Sequence, residues 1–262
     1  MPFALVDVWR APPPDPQVAG WLRNHVYAHR GLHNAQVCEN SPAAFAAAIA
    51  AGLGIECDVR RTADERAVVF HDATLDRLAG REGRLDRMAI GEITQVPLAI
   101  GGDLVPTLRD VLDQVAGQVP LLLELKADRN RSVHRLCRAV RRDLEGYRGP
   151  VAVMSFDPRV GAWFASRVPH VLRGLVVTEE NRRTFSGTVK RHMALWHARA
   201  QFLAYDVRDL PSTFAARQKK RGLPLLTWTV SSPSLRERAM EYADAPIAEG
   251  PGLSQKPAAT PS

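Results

Sequence analysis

The 262-residue sequence is poor in cysteine. Cys38, Cys57 and Cys137 are an odd number without metal-type spacing. That excludes a disulfide framework or a cysteine zinc site as the organising element. No run approaches the roughly 18 apolar residues needed to span a bilayer. The stretch from Met1 to Arg10 lacks the basic start and long apolar core of a signal peptide, so the expected location is cytoplasmic. Zinc-finger and RNA-binding signatures are absent, and no nucleic-acid partner is expected. No Gly-x-Gly-x-x-Gly follows the first apolar run, which counts against an open doubly wound sheet. There is no internal repeat.

What is present fits one soluble globular core. Hydrophobic residues make up 45% and charged residues 24%, an ordinary balance for a buried core with a solvated surface. The net charge of +7 is carried mostly by arginines spread along helical stretches, such as Arg135, Arg138, Arg141 and Arg142 beside Asp143 and Glu145. A solvated basic surface is the favoured reading, with a peripheral contact to anionic membrane left open.

The order of elements predicts the fold. Ala11-Pro12-Pro13-Pro14-Asp15-Pro16 is stiff and cannot be helix interior, which marks residues 1–24 as an N-terminal extension. The main domain spans 25–250, and residues 251–262 read as a disordered tail. Within the domain, strands are expected near 26–29, 53–59, 67–70, 120–125, 151–154, 171–177, 202–205, 224–230 and 245–248. Helices are expected at 41–51, 107–115, 131–145, 158–167, 186–199, 212–221 and 233–242, and 76–106 reads as irregular. Alternation of strand and helix predicts an α/β fold, a TIM-type (β/α)8 barrel with a mainly parallel sheet. Nine strands are one too many for eight-fold closure, so either 67–70 or 245–248 is accessory.

Five short clusters follow or sit in these apolar runs: His29-Arg30-Gly31, Glu56-Cys57-Asp58, His71-Asp72, Glu124-Leu125-Lys126 and Trp228-Thr229-Val230. Charges at strand ends are unfavourable unless paired, metal-bound or catalytic. Glu56 and Asp58 are two apart on a strand and share a face, with Cys57 pointing away. Glu124 adds a third carboxylate. An all-oxygen set suits a hard divalent ion, Mg²⁺ or Ca²⁺. The competing reading pairs Glu56 and Asp58 with Arg60, Arg61 or Lys126. Lys126 shares the Glu124 face, and Arg30 can fork onto phosphate oxygens, so both suit an anionic ligand. His29 and His71 could take a proton from a nucleophile and give one to a leaving oxygen. Asp72 reads as a turn cap in preference to a partner for histidine. His25, His33, His134, His170, His192 and His197 read as structural or surface residues. Trp228 either walls the pocket or packs in the core.

Together these residues resemble the glycerophosphodiester phosphodiesterase family. The match runs through His29-Arg30-Gly31, Glu39-Asn40-Ser41, Glu56-x-Asp58-Val59 and Val68-Val69-Phe70-His71-Asp72 with Leu75 and Arg77. It continues through Pro106-Thr107-Leu108, Glu124-x-Lys126, Ser155-Phe156-Asp157 and Trp228-Thr229-Val230. The resemblance implies a (β/α)8-type barrel and metal-dependent hydrolysis of a small glycerophosphodiester to glycerol 3-phosphate and an alcohol. It implies His29 and His71 as the acid/base pair, Glu56, Asp58 and Glu124 as metal ligands, and Arg30 and Lys126 as phosphate contacts. In related barrel phosphodiesterases a neighbouring substrate hydroxyl attacks first and gives a cyclic phosphodiester. Three departures stand out: Cys38 replaces the usual Pro, Ser231 the usual Asn, and Ile247-Ala248-Glu249-Gly250-Pro251 the usual Ile-Thr-Asp-x-Pro. None is expected to touch the metal or the histidines. The rival readings are a phospholipase D- or C-like lyase on lysophospholipid or intact lipid, and a phosphate- or lipid-binding module without turnover.

Overall fold

The apolar runs become strands that close on themselves. The computed structural model describes residues 3–128, 132–180 and 184–253. Its strands are β1 (Tyr27–Ala28), β2 (Gly54–Arg61), β3 (Ala67–Val69), β4 (Leu121–Leu125), β5 (Val151–Ser155), β6 (Leu172–Val177), β7 (Phe202–Asp206), β8 (Leu225–Val230) and β9 (Ala245–Ala248). All pair in parallel with their neighbours except β3, and β1 pairs with both β2 and β9. Eight parallel strands therefore form a closed barrel, and helices follow β4 to β8 around its outside. The surplus strand is β3, which runs antiparallel to β2 outside the barrel and pairs Val59 with Val69. The short 245–248 strand is a full barrel member.

Side-chain alternation sorts each strand into two cores. Ile55, Cys57 and Val59 face the helices, together with Leu121, Leu123 and Leu125. Tyr27, Leu122, Phe202, Ala204, Leu226 and Ile247 face inward and fill the barrel. Gly54 is needed beside this filling, because a Cβ there would lie 2.6 Å from the Tyr27 ring. The same period of two carries Glu56 and Asp58 to the inner face.

The helices begin where their capping residues dictate. Ser41 Oγ accepts from Ala44 N at 3.1 Å ahead of the Pro42–Ala50 helix. Thr107 and Asp110 form a capping box on Leu108–Val115. The helix expected from 131 runs His134–Leu144, and position 131 lies outside the described residues. The 76–106 stretch is less irregular than expected. It holds short helices Asp76–Ala79 and Ile90–Ile93 over a small core of Leu75, Leu85, Ile93, Val96 and Val105.

Residues 3–23 pack on the barrel. Arg23 reaches Gly222 O and Asp244, just ahead of β8 and β9, so this segment lies at the end where strands begin. Leu22 joins the inward-facing core. The Ala4–Arg10 helix docks on the Phe185–Ala198 helix through buried Asp7. Asp7 Oδ1 accepts from His192 Nδ1 at 2.8 Å and Trp196 Nε1 at 2.7 Å, and Oδ2 from Gln218 Nε2 at 2.9 Å. Of the tail expected from Pro251, residues 254–262 lie outside the described residues.

Candidate active site

The ends of β1, β2 and β4 bring the predicted residues together at the C-terminal mouth, where barrels of this kind carry their chemistry. Register does most of this. Tyr27 pairs with Gly54 and Ala28 with Ile55, so His29 lies beside Glu56. Asp58 pairs directly with Glu124 on β4. One ligand oxygen from each of Glu56, Asp58 and Glu124 lies within 4.8 Å of the others.

Each carboxylate is buried, and each has a different environment. Glu56 is 1% exposed, and its Oε2 accepts from the Arg30 backbone N at 3.1 Å. Among the described residues its Oε1 has no hydrogen-bond partner. Burial first, then the Asp58 and Glu124 charges, push the Glu56 carboxyl well above its usual range. Burial acts the same way on Asp58, but Lys126 and Arg30 outweigh it and hold that carboxyl low. Asp58 Oδ2 accepts from Asn40 Nδ2 at 2.9 Å and lies 3.2 Å from Arg30 Nε. Lys126 Nζ lies 2.9 Å from Asp58 Oδ1, without the alignment of a hydrogen bond, and 2.6 Å from Glu124 Oε1. Burial raises the Glu124 carboxyl, with Lys126 opposing and Asp58 adding.

Three carboxylates thus face two cations, Arg30 and Lys126. The carboxylates outnumber the cations, Arg30 is shared with Glu39, and Glu56 keeps a bare buried oxygen among the described residues. An all-oxygen set that outnumbers its cations and has an unpartnered oxygen fits a hard divalent cation. The competing ion-pair reading is also partly realised, through Lys126 and Arg30 in place of Arg60 or Arg61. Arg60 instead donates from Nε to His71 O at 2.6 Å.

Both histidines are held by a carboxylate. His29 Nδ1 lies 2.6 Å from Glu249 Oε2, leaving Nε2 at 4.0 Å from Glu56. His33 Nε2 is 3.5 Å from the same Glu249 oxygen. The hydrogen bond with His29 first, and the nearby His33, hold the Glu249 carboxyl below its usual range. His71 follows the accessory β3 and sits at the mouth because Phe70 N bonds Asp58 O. Its Nδ1 lies 2.6 Å from Asp72 Oδ1, and Asp72 Oδ2 accepts from Arg77 Nε at 2.7 Å. Arg77 also forks onto Glu39, which accepts from Arg30 Nη1 at 2.7 Å. Burial lowers the His71 proton affinity; Asp58 opposes, and Lys126 and Arg30 reinforce.

Three expectations need correction. Asp72 orients a histidine and does not merely cap a turn. His33 belongs to the site's edge. Glu249, one of the departures expected to touch nothing essential, contacts His29 directly. Asn40 and Glu39, motif residues with no role expected from the sequence, position Asp58, Arg30 and Arg77. The turn that presents Arg30 is left-handed at Arg30 and Gly31, with φ of +55° and +79°. A Cβ at Gly31 would lie 2.8 Å from that of Ala44, so glycine is required there.

A cavity of about 870 Å³ opens from Glu124 and Lys126 past Phe156, Val177 and Thr178. Trp228 stands inside the barrel mouth. Its Nε1 donates to Ala204 O at 2.9 Å, and its ring meets Phe156 edge-on at 5.4 Å.

Similar proteins share this frame. The model of the glycerophosphoryl diester phosphodiesterase family matches residues 29–247. A Caldanaerobacter subterraneus protein named glycerophosphodiester phosphodiesterase is 27% identical over 236 residues, covering 84% of this chain and 91% of its own. The Thermotoga maritima glycerophosphodiester phosphodiesterase structure superposes with a TM-score of 0.67 at 25% identity, covering 85% of this chain and 93% of that one. An Oleispira antarctica phosphodiesterase, solved with the product sn-glycerol-3-phosphate, shares the fold. Its TM-score is 0.74 at 22% identity, with coverage of 86% and 92%. With the family match extending from His29 at the end of β1 to Ile247 in β9, the chain belongs to the glycerophosphoryl diester phosphodiesterase family of phosphoric diester hydrolases.

Proposed function

We propose that the enzyme hydrolyses a glycerophosphodiester to glycerol 3-phosphate and an alcohol, using a divalent metal and paired histidines. The observation that carries this reading is two carboxylate-held histidines beside an acidic trio with an unpartnered buried oxygen. Glu56, Asp58 and Glu124 would hold Mg²⁺ or Ca²⁺. When bound, the ion neutralises charge on the phosphoryl oxygens and lowers the pKa of the attacking hydroxyl.

The chain's own residues do the rest. Arg30 and Lys126 bind phosphoryl oxygens by swinging part of their donor capacity from Asp58 and Glu124 toward substrate. His29 and His71 each keep Nδ1 on a carboxylate, which fixes the tautomer and leaves Nε2 for proton transfer. One accepts the proton of the glycerol hydroxyl as its oxygen bonds phosphorus, and the other protonates the leaving alcohol oxygen. Water then opens the cyclic phosphodiester to glycerol 3-phosphate with the two proton transfers reversed. Trp228 and Phe156 wall the side from which the alcohol leaves.

Phosphorus NMR of glycerophosphocholine turnover with Mg²⁺, Ca²⁺ or chelator tests this. Glycerol 3-phosphate formed only with metal is the expected result. A cyclic phosphodiester as the end product would replace the hydrolase reading by a lyase one. Equal turnover in chelator would overturn the metal assignment.

A further inference from the structure

We propose that Leu5, Val8 and Trp9 form a foot that seats this protein on an anionic lipid surface. Leu5, Val8 and Trp9 are 85%, 54% and 74% exposed on the Ala4–Arg10 helix. Spacings of three and four put Val8 and Trp9 beside Leu5 on one helical face. A contiguous apolar patch of this kind marks an interaction surface more than isolated exposed residues do.

The helix is anchored, so the patch is presented and not merely frayed. Asp7, on the opposite side, is tied to His192, Trp196 and Gln218. Phe3 stacks on His192 at 4.4 Å, and Arg221 Nη1 donates to Ala11 O at 2.7 Å.

Charge selects the occupant. The two helices that hold the foot, Phe185–Ala198 and Thr213–Lys220, carry no acidic residue. Of their basic residues, Lys190 and Arg191 line the mouth cavity and Lys219 meets Asp244, which leaves Arg217 and Lys220 on the helix that binds Asp7. Arg221 follows directly, and Arg10 lies over the Trp9 ring at 4.5 Å. The acidic residue of the foot helix, Asp7, is buried. Apolar and aromatic side chains with Arg10 against them and a basic supporting helix are the pattern of an interfacial helix on anionic headgroups. A second copy docking here would set basic surface against basic surface.

Co-sedimentation with phosphatidylcholine vesicles, with and without phosphatidylglycerol, tests the assignment on the full chain. Wild type should bind the anionic vesicles and release at high salt. The Leu5→Ser/Val8→Ser/Trp9→Ser variant should bind at least about tenfold more weakly. Its thermal midpoint and its turnover of a soluble diester should be unchanged. A second variant, Arg10→Glu/Arg217→Glu/Lys220→Glu, should also lose anionic binding and flatten the salt dependence. The proposal fails if wild type ignores anionic vesicles at low salt, or if both variants bind like wild type. It also fails if sedimentation equilibrium shows a wild-type dimer that the foot variant dissolves.

Discussion

Asp7 and Glu56 are both buried carboxylates, and they are built in opposite ways. Asp7 has three donors from two helices, so each oxygen is satisfied. Glu56 has one backbone donor, two carboxylate neighbours and a bare oxygen. The first arrangement joins parts of the chain. The second keeps a charge site unfinished at the expense of stability, which is how binding sites commonly differ from structural ones.

This contrast can be broken by mutation. Glu56→Gln should reduce turnover to background while leaving the metal-free protein at least as stable, as activity and thermal melting would show. His29→Ala and His71→Ala should each lower kcat/KM by about 10³-fold, and the double variant should lose far less than the product of the two. Asp7→Ala should do the reverse of Glu56→Gln. It should cost about 3 kcal/mol in chemical denaturation, with kcat near wild type well below the melting point. Asp72→Asn should lower kcat by about 10- to 100-fold with little change in KM, since it touches His71 and not substrate.

The smallest effect concerns pH. Burial tends to raise the Asp72 carboxyl, but hydrogen bonds from Arg77 and His71 outweigh it and hold it below its usual range. A depressed carboxyl stabilises the fold above its unfolded value and loses that contribution as pH falls through the folded one. Melting temperatures should therefore drop below pH 3.8 less steeply in Asp72→Asn than in wild type.

Much of this was legible because strand parity is rigid. With strands at 53–59 and 120–125, Glu56 and Asp58 share a face, as do Glu124 and Lys126, and the register then sets Asp58 opposite Glu124. Pairing between distant segments was not legible. Nothing local says that 67–70 runs antiparallel outside the barrel, or that Asp7 waits for His192, 185 residues away. The pairing of Asp72 with His71 is not legible because adjacent residues have no fixed mutual geometry outside a regular element. Glu249 had a usable signal. Barrel closure lays β9 against β1, so the residue after β9 falls beside the one after β1.

That closure has a consequence for biosynthesis. His29 N bonds Ala248 O, and His29 Nδ1 is held by Glu249. Most of the proposed catalytic groups lie between residues 29 and 126, yet they cannot adopt their working arrangement until position 249 has left the ribosome. The nascent chain carries its acids and bases unassembled through the second half of its synthesis. A stop codon before β9 would yield a product with an unpaired edge on β1 and a misdirected His29, inactive despite retaining both histidines and all three acids.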